Sequence, residues 1–217
     1  MKRLFATLCA LLCGALLLAG CGGAPASPSA TPTAGAQQGQ EIDFDADAVQ
    51  PMLDVIAVSM AQPGVEGFTD RVGDAFFVHF AYTVLNTELV DSAALFDTGE
   101  IDRTTGNVFI PKAGVQKLYD AFFAAQGAFP DALTHDAFFV EQGEGYAYML
   151  SDSGELMYSA TVQGAQALAN GQVQLTVALN RADAVDDGES VFMTCAVVLQ
   201  PDADAPYDYT IVSVQPV

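Results

Sequence analysis

Residues 172–180 read QVQLTVALN and residues 191–199 read VFMTCAVVL. Val173, Leu175, Val177 and Leu179 take every second position of the first stretch; Val191, Met193, Cys195, Val197 and Leu199 do the same in the second. Successive side chains of a strand point to opposite faces, so this period marks strands with one buried face. Asn170-Gly171 ahead of the first stretch is a hairpin turn pair, and Asp186-Asp187-Gly188 separates the two. The pattern spreads outward from here. Gly145–Leu150 and Glu155–Gln163 flank Asp152-Ser153-Gly154 and read as another hairpin, with Leu156, Tyr158, Ala160 and Val162 alternating. Tyr207–Val214 reads as the last strand, after the acidic loop Pro201–Pro206. From about Phe138 onward, then, the chain predicts an antiparallel run with short turns.

Upstream the period becomes helical. Val49, Met52, Leu53, Ile56 and Met60 are spaced for one helix face within Asp47–Gln62. Pro51 fits only near the start of that helix, and Pro63-Gly64 stops it. A second helix is expected from Thr69-Asp70, with Thr69 as N-cap and Val72, Phe76, Phe80, Thr83 and Val84 as its stripe. Asn107–Ile110 reads as a short strand, and Pro111 suits the first turn of a third helix. In that helix Val115, Leu118, Tyr119, Phe122 and Phe123 share a face, with Gly127 expected at C′. An apolar sheet face must be covered, and helices are available to cover it. The expected fold class is α+β. Three N-terminal helices pack on a mostly antiparallel sheet of about five or six strands, in a single domain over 45–217.

This order of elements resembles the nuclear-transport-factor-2-like superfamily over about residues 45–217. The resemblance implies a curved, cone-like sheet that wraps a helix and leaves a pocket at its open end. A cystatin-like sheet gripping a helix has a similar order.

The N-terminus carries a different signal. Lys2 and Arg3 precede Leu4–Leu18, an uncharged stretch rich in Leu, Ala and Cys. It suits the apolar core of a signal peptide and is short for a membrane span, which takes roughly 20 residues. The stretch runs into Leu18-Ala19-Gly20-Cys21. These residues resemble the lipobox of bacterial lipoprotein precursors. The resemblance implies a signal peptide over 1–20, cleavage before Cys21 and lipid on the Cys21 thiol. Residues 22–40, GGAPASPSATPTAGAQQGQ, carry no charge and no large apolar group, so they read as a flexible spacer. The lipidated cysteine and linker together span 21–44. The spacer's relaxed reach is about 25 Å, from 5–6 Å per square root of residue number. The expected location is the membrane surface, outside the cytoplasm.

The 217 residues hold 7 Lys+Arg against 27 Asp+Glu, with 51% hydrophobic residues. That is too apolar for a disordered chain. The negative charge argues against nucleic acid, whose phosphates need cationic neutralisation, and against adhesion to anionic headgroups. Cleavage before Cys21 would leave five Lys/Arg against the same 27 acids, a net charge of −22. Cys9 and Cys13 would leave with the signal, so Cys195 would be the one free thiol, expected in the core and inert.

The chemistry-bearing residues are few. His79 and His135 are the only imidazoles. His79 shares the stripe of the second helix, and some members of the superfamily it resembles place a histidine in the cone pocket, so the resemblance implies His79 as a candidate pocket residue. His135 sits in Thr134-His135-Asp136 between elements. Two His and one Cys do not supply a usual zinc set. His-Glu-x-x-His, Gly-x-Ser-x-Gly and phosphate-loop patterns do not occur. No metal or cofactor is therefore expected. Asp43, Asp45, Asp47 and Asp54 have the 1-3-5-12 spacing of a calcium loop, but Ala48 stands where the loop needs Gly. Acidic residues favouring a helix N-terminus explain them better. Asp183, Asp186, Asp187 and Glu189 crowd one turn, and Asp202, Asp204 and Asp208 another, as solvated residues or a weak cation site.

Two functions follow as expectations. One is a non-enzymatic, membrane-anchored module that binds a small apolar ligand or an envelope protein through the pocket or the exposed sheet. The other is a small isomerase, dehydratase or hydrolase of the cone superfamily with His79 as general base.

Overall fold

In a computed structural model the described residues are 39–87, 89–125, 127–130, 133, 138–150, 157–182 and 188–217. Cys21, the signal segment, most of the spacer, His135 and the turn residues 152–154, 183, 186 and 187 lie outside them. The compact unit containing these residues spans Gln37–Val217. It is α+β, with mostly antiparallel strands in two sheets. No helix among the described residues is long and apolar enough to cross a membrane.

The larger sheet has five strands: β1 (Gln40–Glu41), β5 (Tyr158–Ala167), β6 (Val173–Ala182), β7 (Glu189–Pro201) and β8 (Tyr209–Pro216), paired antiparallel in that order. The smaller has three, in the order β2 (Asn107–Pro111), β4 (Gly145–Met149), β3 (Phe139–Gln142). The helices are α1 (Gln50–Met60), α2 (Asp74–Asn86), the short α3 (Ser92–Phe96) and α4 (Lys112–Phe122).

The alternation read from β6 is met. Val173, Leu175, Val177 and Leu179 are buried and face Leu199, Val197, Cys195 and Met193 across the β6–β7 pairing. Gly171, at φ 83°, makes the β5–β6 turn in the left-handed region that Asn-Gly favours. Val191 departs from its expected face and is 58% exposed. Leu179 pairs with Met193 but Asn180 pairs with Val191, so Phe192 is an extra residue in β7. Such a bulge reverses the side-chain phase beyond it, which turns Val191 away from the core.

Three further expectations are corrected by long-range pairing. Gly145–Leu150 and Glu155–Gln163 do not pair as a hairpin. β4 is hydrogen-bonded to β2 on one side and β3 on the other, which leaves no edge for β5. The second helix starts at Asp74 with Gly73 as N-cap instead of Thr69. Phe68 exchanges two backbone hydrogen bonds with Val214 (2.7 and 2.9 Å), so the chain there is extended along β8. The third expected helix, α4, ends at Phe122 and Gly127 is not its C′ residue. Phe123 turns extended, and the Ala124 N–H donates to the Ile211 carbonyl at 3.0 Å. One cause covers both helix ends: the outer edge of β8 takes up the backbone groups beside them. The expected single sheet of five or six strands is thus two sheets, and β1, α3 and β3 add to the elements read from sequence.

The core lies between the helices and the five-stranded sheet. Phe68, Phe76, Phe77, Phe80, Tyr119, Phe122 and Phe123 form an aromatic cluster within it. Phe80 and Phe123 meet edge to face at 4.9 Å, and Phe68 and Phe76 at 5.1 Å, the geometry their ring quadrupoles favour. Gly114 lets α4 touch α3, since a Cβ there would lie 2.0 Å from the Phe96 carbonyl oxygen.

Candidate surface groove

The three-stranded sheet has two unlike faces. Val108, Ile110, Tyr146, Tyr148 and Phe139 point inward and are buried. Burial pushes the Tyr148 hydroxyl up to about 12, so it stays protonated. Outward, the register places Phe109, Ala147 and Val140 in one row across β2, β4 and β3, with Asn107 and Met149 in the next. Phe109 is 37%, Val140 63% and Met149 61% exposed, which is unusual for residues grouped on one face. On this side the central strand supplies Gly145 and Ala147 before Met149 at its end, so it is low over its first part. The Phe109 ring leans over that strand, where a Cβ on Gly145 would come 2.6 Å from the ring tip. Beside this row is a groove of about 420 Å³ lined by Phe109, Ala147, Gln142 and Asn107 together with the acidic Glu100 and Asp102; Val140 and Met149 flank it on the same face, outside its lining.

The rim is held in shape. One Asp102 carboxylate oxygen accepts the Thr104 N–H at 2.8 Å and the other the Thr105 hydroxyl at 2.9 Å. These bonds lower the Asp102 pKa and keep the carboxylate ionised. The nearest lysine in sequence is turned away: Lys112 pairs with Glu141 at 2.6 Å and lies over the Tyr146 ring. A second hollow, of about 430 Å³, lies where Met60, Val65 and Glu66 face Met193, Gln215 and Pro216.

No protein-family model matches the chain, and no curated protein or solved structure matches it.

The residues singled out from sequence are dispersed. Cys21 and His135 lie outside the described residues. His79 sits half-buried on α2, its ring edge-on to Phe138 at 5.3 Å, and its carbonyl accepts the Thr83 hydroxyl at 2.8 Å. Cys195 is fully buried, and burial pushes its thiol up to about 11, which makes it unreactive. Asp43, Asp45 and Asp47 are exposed. Asp54 is instead drawn into the fold, where one carboxylate oxygen accepts the Gln50 amide at 2.8 Å and the Ala160 N–H at 2.9 Å. Gln50 in turn donates to the Ala160 carbonyl at 2.8 Å. Two side chains of α1 thus complete the backbone of β5 where no strand pairs with it. Among the described residues, no group of three His, Cys, Asp or Glu could hold a metal.

The groove escaped the sequence reading because its residues come from three separated strands. A signal was present. Val108-Phe109-Ile110 and Phe138-Phe139-Val140 are apolar at consecutive positions, so each strand has an apolar side chain on both faces. Gly145 and Ala147 alternate with Tyr146 and Tyr148, which makes one face of β4 flat and the other bulky.

Proposed function

We propose that the mature chain is a membrane-anchored extracytoplasmic lipoprotein, tethered through lipid on Cys21, that acts as a non-enzymatic binding module. The observation that supports it is the outward groove on β2–β4–β3, where apolar side chains meet water beside an acidic rim. The cone-like arrangement belongs to the same proposal. One-residue bulges at Gln163, Phe192 and Val212 interrupt the three main pairings of the five-stranded sheet, and bulges bend and twist strands. A bent sheet covering α1, α2 and α4 is what that arrangement needs. The spacer would hold the groove on the order of 25 Å from the bilayer, within reach of other envelope proteins.

The test has two arms on the full chain. Replacing Cys21 by Ser should move the protein from the detergent phase to the aqueous phase in temperature-induced phase separation, and remove a lipid adduct from the intact mass. A thermal-shift screen with cationic, neutral and anionic peptides should then give at least one shift that Val140→Ser/Met149→Ser removes. Aqueous partition of the wild type sinks the anchor; the lack of any groove-dependent shift sinks the binding role.

A further inference from the structure

We infer that the β2–β4–β3 groove receives an extended basic segment of a partner protein, with an apolar side chain of that segment seated over Ala147. The inference rests on the binding-module reading above.

The shape argues for a chain segment. Pockets for small molecules enclose most of their ligand. Here Val140 and Met149 are more than half exposed, and the apolar row crosses three strands, about 10 Å at the usual strand spacing. An open trough of that width covers one face of an extended peptide. Ala147 lines the hollow beside the Phe109 ring, and the space over its small side chain receives a side chain projecting from such a peptide; Gly145 is already covered by the Phe109 ring.

The charge argues for a basic partner. Glu100 and Asp102 stand on the rim, and Arg103 of the same loop is not part of the lining. Across the mature sequence five Lys/Arg face 27 acids. Two of the five are already committed, Lys112 to Glu141 at 2.6 Å and Lys117 to Asp97 at 2.5 Å. A second copy of the chain would bring the same excess of negative charge to the face, and an anionic lipid surface would be repelled as well. A cationic segment gains from the same field, which speeds its encounter and sets its orientation.

The experiment uses three fluorescein-labelled heptapeptides of sequence KVKFKVK, SVSFSVS and EVEFEVE, and the full lipidated chain in neutral detergent. Anisotropy should show the lysine peptide binding at least tenfold more tightly than the serine peptide, with no binding of the glutamate peptide. Raising NaCl from 50 to 500 mM should weaken the lysine peptide at least tenfold. Val140→Ser/Met149→Ser, both at exposed positions, should cost at least tenfold with an unchanged melting temperature. Glu100→Lys should weaken the lysine peptide alone. Groove-dependent binding of the serine or glutamate peptide at equal strength overturns the basic partner while leaving the binding role standing. Lysine-peptide binding that survives the double substitution is general adhesion to an acidic surface and overturns the site. Binding of none of the three overturns the inference, and self-association lost on Val140→Ser/Met149→Ser assigns the face to a second copy instead.

Discussion

Asp54 gives the sharpest test of how α1 is joined to the sheet. Its Oδ1 accepts both the Gln50 amide and the Ala160 N–H, and Gln50 returns a hydrogen bond to the Ala160 carbonyl. Asp54→Ala deletes the shared acceptor and leaves two donors in a half-buried site. Leaving buried donors unmet costs about 1–3 kcal/mol, and partial exposure of this site argues for a middle value near 2 kcal/mol. In a unit of this size that lowers the melting temperature by about 4–8 °C. Asp54→Asn should behave differently. Its amide oxygen can accept both bonds, so what it removes is the charge. Burial, ahead of any other cause, raises the Asp54 pKa above its usual value, and the nearby Glu189 carboxylate adds to the rise. A carboxyl raised on folding favours the native state most when protonated, below about pH 3.8. That contribution fades as pH climbs through the raised native value. The stability of Asp54→Asn relative to wild type should therefore increase from pH 3.5 to pH 7, and at pH 7 Asn should cost well under half of what Ala costs. Urea denaturation followed by circular dichroism at several pH values reads both quantities. If Asn and Ala are equally damaging, or the cost of Asn relative to wild type does not shrink as pH rises, the charge itself holds the clamp and the reasoning fails.

Cys195 should resist iodoacetamide at pH 8 in the native protein and react on unfolding, since the thiol is enclosed and burial pushes it up to about 11; rapid native alkylation, read by mass spectrometry, contradicts its placement. Phe80→Ala should cost about 3–5 kcal/mol, because the ring is fully buried against Phe122 and Phe123 at 5.3 and 4.9 Å. A loss below 1 kcal/mol in the same urea assay would mean the aromatic cluster can collapse around the gap.

What was legible in the sequence was local. The β6 alternation, the Asn170-Gly171 turn and the stripes of α1, α2 and α4 are set by close neighbours in the chain, and the stripe residues are buried as their period requires, though Val72 precedes α2 and Phe123 follows α4. What was hidden depends on distant partners. Thr69 is a sound N-cap by type, but Phe68 is committed to Val214, 146 positions away, and the helix can begin only after that bridge. The β7 alternation holds from Leu199 back to Met193 and reverses at the Phe192 bulge, which is defined only against β6 and turns Val191 outward. The short α3 has too few residues to show a period. It relies on Asp91, whose carboxylate accepts the Ala94 N–H at 3.0 Å. Asp54 belongs to the same class: it reads as one of four acidic residues near a helix N-terminus, while its partner is a backbone amide 106 residues away. The surface groove is the extreme case, because Phe109, Ala147 and Val140 become neighbours only through the register of three strands.

Both edges of the five-stranded sheet are covered, and they yield a last prediction. An uncovered strand edge invites pairing with another chain. On one side β1 and the Gln50–Asp54 pair cover β5. On the other, Phe68 and Ala124 bond to Val214 and Ile211 of β8. That second cover depends on Gly67, where a Cβ would lie 2.0 Å from the Val214 carbonyl oxygen. Gly67→Ala must push the 65–68 segment off the strand, which frees the Val214 N–H and C=O together. The freed edge should pair with its like in a second molecule. Net negative charge opposes that contact at low salt, and screening shortens the repulsion to about 3 Å at 1 M. Gly67→Ala should therefore run as a larger species than wild type on gel filtration in 1 M NaCl and approach the wild-type position in 20 mM. Hydrogen exchange should show the Val214 amide losing its protection in the low-salt form. A variant that keeps this amide protected and elutes as wild type at both salts would show that the segment is not what shields β8.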